Sequence, residues 1–268
     1  MNSRTSSQSP TAVGLLGLAA MVFVAYALCD LGHEILGHGL ATLLPLGVQA
    51  VSVSTVALST TASNPIVAAA GPLINLILAA SLLLAGRSAL SPASRYFAWI
   101  FGSINAFNAT GYLLYSAVFG SGDVAVAFDA IASGRIWRPA VGIAGSFLYA
   151  GAVSASLAVL RSLVRSGVIA GRNADRYCTL SYWLGGALLT LGAVFNPVSP
   201  WLILSSGAAT GFGAMVGLVL LPPLLRRKPS GGDPEAQESL RIGRAWRIAG
   251  IVTAIVFVGL FGPGIALR

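Results

Sequence analysis

The sequence predicts an all-α, multi-pass membrane protein of about 6–7 transmembrane helices, with a possible short β-element after the first. Three observations carry that expectation. Hydrophobic residues make up 56% of the 268-residue chain and charged residues 9%, against roughly 25% charged in an ordinary soluble domain; the mean hydropathy is +0.81. A water-soluble fold of this length has too little interior to hide that much apolar side chain. Apolar runs long enough to cross a bilayer, roughly 20 residues each, recur along the whole chain, and the basic residues cluster in alternate connections between them.

Taken in order, residues 1–11 are polar and are expected to form a disordered tail. The apolar run that follows is too long for a cleavable signal. Residues 12–135 form the motif-bearing transmembrane core, with apolar runs at about 12–45, 65–86 and 95–119. The first is long for one crossing and reads either as an over-long helix or as a span followed by a partly inserted segment. Val48 to Thr60 alternates apolar and small polar residues, the signature of a strand. Residues 136–268 supply additional transmembrane helices at about 139–160, 178–196, 200–225 and 247–266. The connection 226–247 contains Pro, Gly and acidic residues and reads as a flexible cytoplasmic loop. Small residues in the later spans, including Gly185-Gly186 and Gly207 to Gly217, point to close helix packing. Trp99, Trp137, Trp183, Trp201 and Trp246 fall mostly near span ends, which suits anchoring at the membrane interface.

The formal net charge of +8 is read as an orientation signal, and no nucleic-acid partner is expected. With seven crossings and a cytoplasmic N-terminus, the inside connections carry Arg4, Arg87, Arg95, Arg161, Arg165, Arg172, Arg176, Arg226, Arg227, Lys228, Arg241, Arg244 and Arg247. The outside ones carry Arg135, Arg138 and Arg268. That asymmetry follows the positive-inside rule and places the chain, as an expectation, in a plasma (inner) membrane. The two cysteines, Cys29 and Cys178, make no disulfide framework and no CxxC pair.

The chemistry concentrates in one apolar stretch. The only two histidines flank a glutamate in His33-Glu34-Ile35-Leu36-Gly37-His38. Ionisable groups at membrane depth are costly and usually functional. Zinc peptidases place two His ligands four apart on a helix with Glu as general base, HExxH. Here the spacing is HExxxH, and on a regular α-helix the two imidazoles diverge by about 140°. A one-residue π-bulge would bring them to one metal, and Gly37 would ease that distortion. A second geometry needs no distortion: Asp30, Glu34 and His38 lie at i, i+4 and i+8 and make a polar stripe suited to a proton or ion pathway. Cys29, one turn before His33, can contact a metal but more simply reads as a buried apolar residue.

The segment Gly32 to Leu40 resembles the zinc-binding segment of the site-2 protease family of intramembrane zinc metallopeptidases, in a divergent HExxxH form. Three further features are similar to that family: the strand-like Val48 to Thr60; Ala70-Gly71-Pro72-Leu73-Ile74-Asn75, which matches a GPxxN segment; and Asn105-Ala106-Phe107-Asn108 followed by Gly120-Ser121-Gly122-Asp123. The resemblance covers about residues 25–130. It implies that His33, His38 and Asp123 hold Zn2+, that Glu34 is the catalytic base, and that Asn75 binds substrate. Asp129 is the alternative third ligand, and Asp30 a candidate outer partner. The surroundings of Asp123 lack the proline-rich LDG-type context of that family.

The function expected on this basis is a zinc-dependent endopeptidase cleaving a membrane-embedded or juxtamembrane protein. Its partners would be a membrane protein substrate and the lipid bilayer. The alternatives are a proton- or ion-coupled transporter using an Asp30/Glu34/His38 relay, or an inactive membrane scaffold of the same fold.

Overall fold

The computed structural model describes residues 14–86, 91–132, 136–227 and 238–267. The expected tail 1–11 lies outside them, as do residues 228–237 of the expected loop 226–247. The first span is a single rod: α1 (Leu15–Leu31) runs without a break into a π-helical segment, Gly32–Gly39. It ends before residue 45, and a turn leads into the hairpin β1 (Ala50–Val53) and β2 (Leu58–Thr60). α2 (Pro65–Ala85) follows, capped by the Asn64 side chain and opened by Pro65, a residue suited to the first turn because its missing N–H is not needed there. Next come α3 (Pro92–Phe119), α4 (Asp123–Asp129), α5 (Trp137–Arg165) and α6 (Ala174–Val194). A second π-helical segment, Ile203–Ala214, continues into α7 (Val216–Arg227). The chain closes with α8 (Arg244–Val256), a short π segment (Phe257–Phe261) and β3 (Ile265–Ala266).

Among the described residues, six helices are long and apolar enough to cross a bilayer: Leu15–Gly39, Pro65–Ala85, Trp137–Arg165, Gly171–Val194, Ile203–Arg227 and Arg244–Phe261. The pair α3–α4, bent by 63°, makes a seventh when taken as one span. The protein is an all-α multi-pass membrane fold with one small sheet. Packing follows the rule for helices in lipid: small and polar residues face inward, large apolar ones outward. Asn75, Ser103, Asn105, Ser156 and Ser181 are wholly buried, whereas Leu84, Ile143, Phe147, Leu148 and Ile255 lie on the outside. The expected close packing in the later spans is present. A Cβ on Gly211 would meet the Gly186 backbone at 2.9 Å, and one on Gly217 would strike the Phe107 ring at 2.6 Å.

The sheet order is β2-β1-β3, all antiparallel. Val53 pairs with Leu58 on one side and with Ile265 on the other. The connection after the first span and the segment after the last therefore meet in one sheet. Chain segments on one side of a membrane at both places require an even number of crossings between them, and counting α3–α4 as one span gives six.

Two expectations are corrected. The second half of the 226–247 connection is tied down: Ser239 and Leu240 donate backbone hydrogen bonds to Gly167 and Val168. The Glu238 carboxylate is buried and accepts from Asn173 (2.6 Å), from the Ala170 N–H and from the Tyr177 hydroxyl. An acid read as loop polarity is the anchor of that loop. Trp99 is not at an interface; it is fully buried, donating from Nε1 to the Ser156 carbonyl at 3.1 Å.

Candidate metal centre

Residues 32–39 wind as a π-helix, in which i→i+5 hydrogen bonding stacks residues five apart. His33 and His38 are five apart, and their rings meet edge to face with centroids 4.8 Å apart. The regular i, i+4, i+8 stripe of Asp30, Glu34 and His38 depends on α-winding and is interrupted at Gly32.

Gly37 has a different role from the one expected. Its backbone conformation is ordinary, and it is a contact point: a Cβ there would lie 2.5 Å from the Cα of Gly71. Gly71, in turn, lies against both imidazoles; its added Cβ would be 2.5 Å from His33 Nε2 and 2.6 Å from His38 Cε1. Two glycines thus allow the π segment and α2 to cross in contact, with the histidines at the crossing.

The third group arrives from the far end of α3. Gly120 (φ 66°) and Gly122 (φ 84°) both adopt left-handed backbone, which glycine takes up without the Cβ penalty other residues face. Ser116 donates to the Ser121 carbonyl at 2.8 Å, and Arg138 caps the last turn of α3 by donating to the Ala117 (2.7 Å) and Val118 carbonyls. The chain bends by 63° there and brings Asp123, at the start of α4, to the histidines. Asp123 Oδ2 is 2.9 Å from His33 Nε2 and 3.5 Å from His38 Nε2. Asp129 points elsewhere and accepts from Trp137 Nε1 at 2.6 Å.

His33, His38 and Asp123 form a possible metal-binding triad, with candidate ligand atoms all within 4.8 Å of one another. Two donors on a tetrahedral zinc ion lie roughly 3.3 Å apart, given bonds of about 2.0–2.1 Å. The outer hydrogen bonds support the same use. His33 Nδ1 is 2.6 Å from Asn75 Oδ1, and His38 Nδ1 is 2.7 Å from the Val67 carbonyl. The Asn75 amide is oriented by its other end, whose Nδ2 donates to Asn105 Oδ1 (2.9 Å) and to Cys29 Sγ (3.2 Å). Both Nδ1 atoms therefore donate, and both Nε2 lone pairs face a carboxylate. Three acceptors at such distances repel one another until a cation or proton lies between them. The donor set of two imidazoles and a carboxylate fits a first-row divalent metal.

Glu34 is buried, and its Oε2 accepts from the Leu58 N–H at 2.6 Å. It therefore abuts the outer edge of β2, which no other strand covers among the described residues. Glu34, His38, Asp123 and Leu58 share the wall of a cavity of about 750 Å3.

Asn75 does not line that cavity; it is fully buried and sits behind His33. Cys29 contacts Asn75 and Asn108 and lies outside the triad. Sequence reasoning missed the Val67 carbonyl, which no side-chain pattern reveals. It also missed Tyr112, which stacks on His33 at 5.0 Å and 21°. Tyr112 follows Asn105 and Asn108 at helical spacing, one polar face of α3 turned to the site.

No family model, no curated protein and no solved structure matches the chain.

Proposed function

We propose that the protein is a zinc-dependent intramembrane endopeptidase, a divergent relative of the site-2 protease family. The observation that carries this reading is the π-helical turn that converts an odd HExxxH spacing into a converging histidine pair, with Asp123 facing it and Glu34 beside it. Zinc held by His33, His38 and Asp123 would polarise a scissile carbonyl and lower the pKa of a water molecule. Asn75 and Val67 hold the two imidazoles in the tautomer that presents Nε2. Glu34, oriented by the Leu58 N–H, takes the proton from the attacking water and returns it to the departing amine nitrogen as the C–N bond breaks.

A membrane helix must unwind before its peptide bonds can be attacked. β1 has a partner on each side, which leaves the outer edges of β2 and β3 uncovered among the described strands, and the β2 edge is the one adjacent to Glu34. Strand addition there would present the substrate backbone to the triad. The distribution of arginines supports a cytoplasmic N-terminus, and with it a site toward the outer face of a plasma (inner) membrane.

The test is purified protein assayed for metal and for cleavage of single-span reporter peptides. Wild type should carry about one zinc per chain and cut. Glu34→Gln should keep the zinc and lose cleavage. Cleavage by Glu34→Gln at the wild-type rate, or a zinc-free wild type, overturns the reading.

A further inference from the structure

The cavity beside the triad is far larger than hydrolysis requires. At about 750 Å3 it matches the size of pockets that take whole small ligands. Glu34, Asp123 and His38 give its wall two carboxylates and an imidazole, and Ser205, Ser206 and Thr210 of the second π segment add hydroxyls. Its apolar lining includes Leu114 and Val118 of α3 together with Trp201 and Leu202, which lead into the second π segment. Ala209 and Gly213 of that π segment also line it, and their small size keeps the space open. A Cβ built on Gly213 meets nothing within 4 Å.

We propose that this cavity is the specificity pocket of the peptidase, and that it selects unwound substrate segments carrying a bulky apolar side chain beside the scissile bond. The proposal rests on the zinc-peptidase reading. A ligand matching the cavity has a polar reactive group at the triad joined directly to a large apolar group. An extended peptide on the outer edge of β2 has that form, because alternate side chains of a strand point to one face. Its carbonyl lies at the triad while the adjoining side chain enters the cavity. Substrates with alanine or glycine at that position leave the cavity unfilled and bind less well.

The probes are short peptide hydroxamates, whose metal-binding head stands in for the scissile group, with either a benzyl or a methyl side chain next to it. Affinities are measured by calorimetry on the zinc-loaded protein in nanodiscs. Burial of the benzyl group predicts a roughly tenfold to hundredfold advantage over methyl in the wild type. Gly213→Phe projects a ring into open space, and the ratio should collapse toward one with zinc content unchanged. Ala209→Phe, from the same wall, should do the same. Equal affinities in wild type, or an intact ratio in both variants, overturns the proposal and leaves the peptidase reading standing. A zinc-free wild type fails both, and metal analysis separates the two failures.

Discussion

Replacing Gly71 by alanine adds one methyl group, and the structure says where it goes. The new Cβ would lie 2.5 Å from His33 Nε2 and 2.6 Å from His38 Cε1. Ordinary van der Waals contact begins near 3.4 Å, so the imidazoles must retreat by about 0.9 Å, or the π segment must part from α2. A working metal site tolerates ligand displacements of about 0.2 Å. Changes to outer-shell partners alone cost 10–100-fold in metal affinity; a shift forced on two ligands at once should cost at least about 100-fold. Gly71→Ala is otherwise a favourable helix substitution, worth about 1 kcal/mol, so propensity alone would predict a gain in stability. Two neighbouring glycines serve as controls. A Cβ on Gly32 meets only Leu78 Cδ1 at 3.7 Å, and one on Gly39 meets nothing closer than 3.5 Å. The assay is competition for zinc with a chromophoric chelator, alongside thermal unfolding. Gly71→Ala should lose the zinc, while Gly32→Ala and Gly39→Ala keep it. Wild-type affinity in Gly71→Ala, or an equal loss in the two controls, would show that the crossing of the π segment and α2 does not hold the histidines.

Asn75→Ala should weaken zinc binding 10–100-fold in the same competition assay, because His33 loses the acceptor that fixes its tautomer; Asn75→Asp, which keeps an acceptor, should recover part of it. Asp123→Asn should abolish stoichiometric zinc, and Asp129→Asn, which alters only the contact with Trp137, should leave it intact. Glu238→Gln removes a buried carboxylate held by three donors and should lower stability by about 1–3 kcal/mol, read as a fall in the unfolding midpoint with zinc content unchanged. Cysteine labelling tests the orientation against a quiet background, since Cys29 and Cys178 are both buried. In intact cells Thr61→Cys should react with an impermeant reagent, and Ser166→Cys only after permeabilisation; the reverse pattern would invert the topology.

How far the sequence reaches differs from element to element. The spans are legible because lipid exposure demands long apolar runs, and the arginines mark their ends. The convergence of His33 and His38 is legible from one extra residue and the rarity of ionisable groups in such a run. What holds the site is much less so. Val67 contributes a main-chain carbonyl, and its identity as valine carries no trace of that role. Gly71 reads as part of a motif, yet its reason for being glycine is a contact with residues more than thirty positions away. Asn75 reads as a polar group near substrate; only the packing of α1, α2 and α3 turns it toward His33. The pairing of β3 with β1 and the anchoring of Glu238 join segments far apart in the chain, and local pattern carries no information about such partners.

X-ray absorption at the zinc edge on the loaded protein tests the central geometry most directly. The account predicts two imidazole nitrogens at about 2.0–2.1 Å with the remaining scattering from oxygen, and one imidazole fewer in His38→Ala. A single imidazole in the wild type, or sulfur at about 2.3 Å, would contradict it.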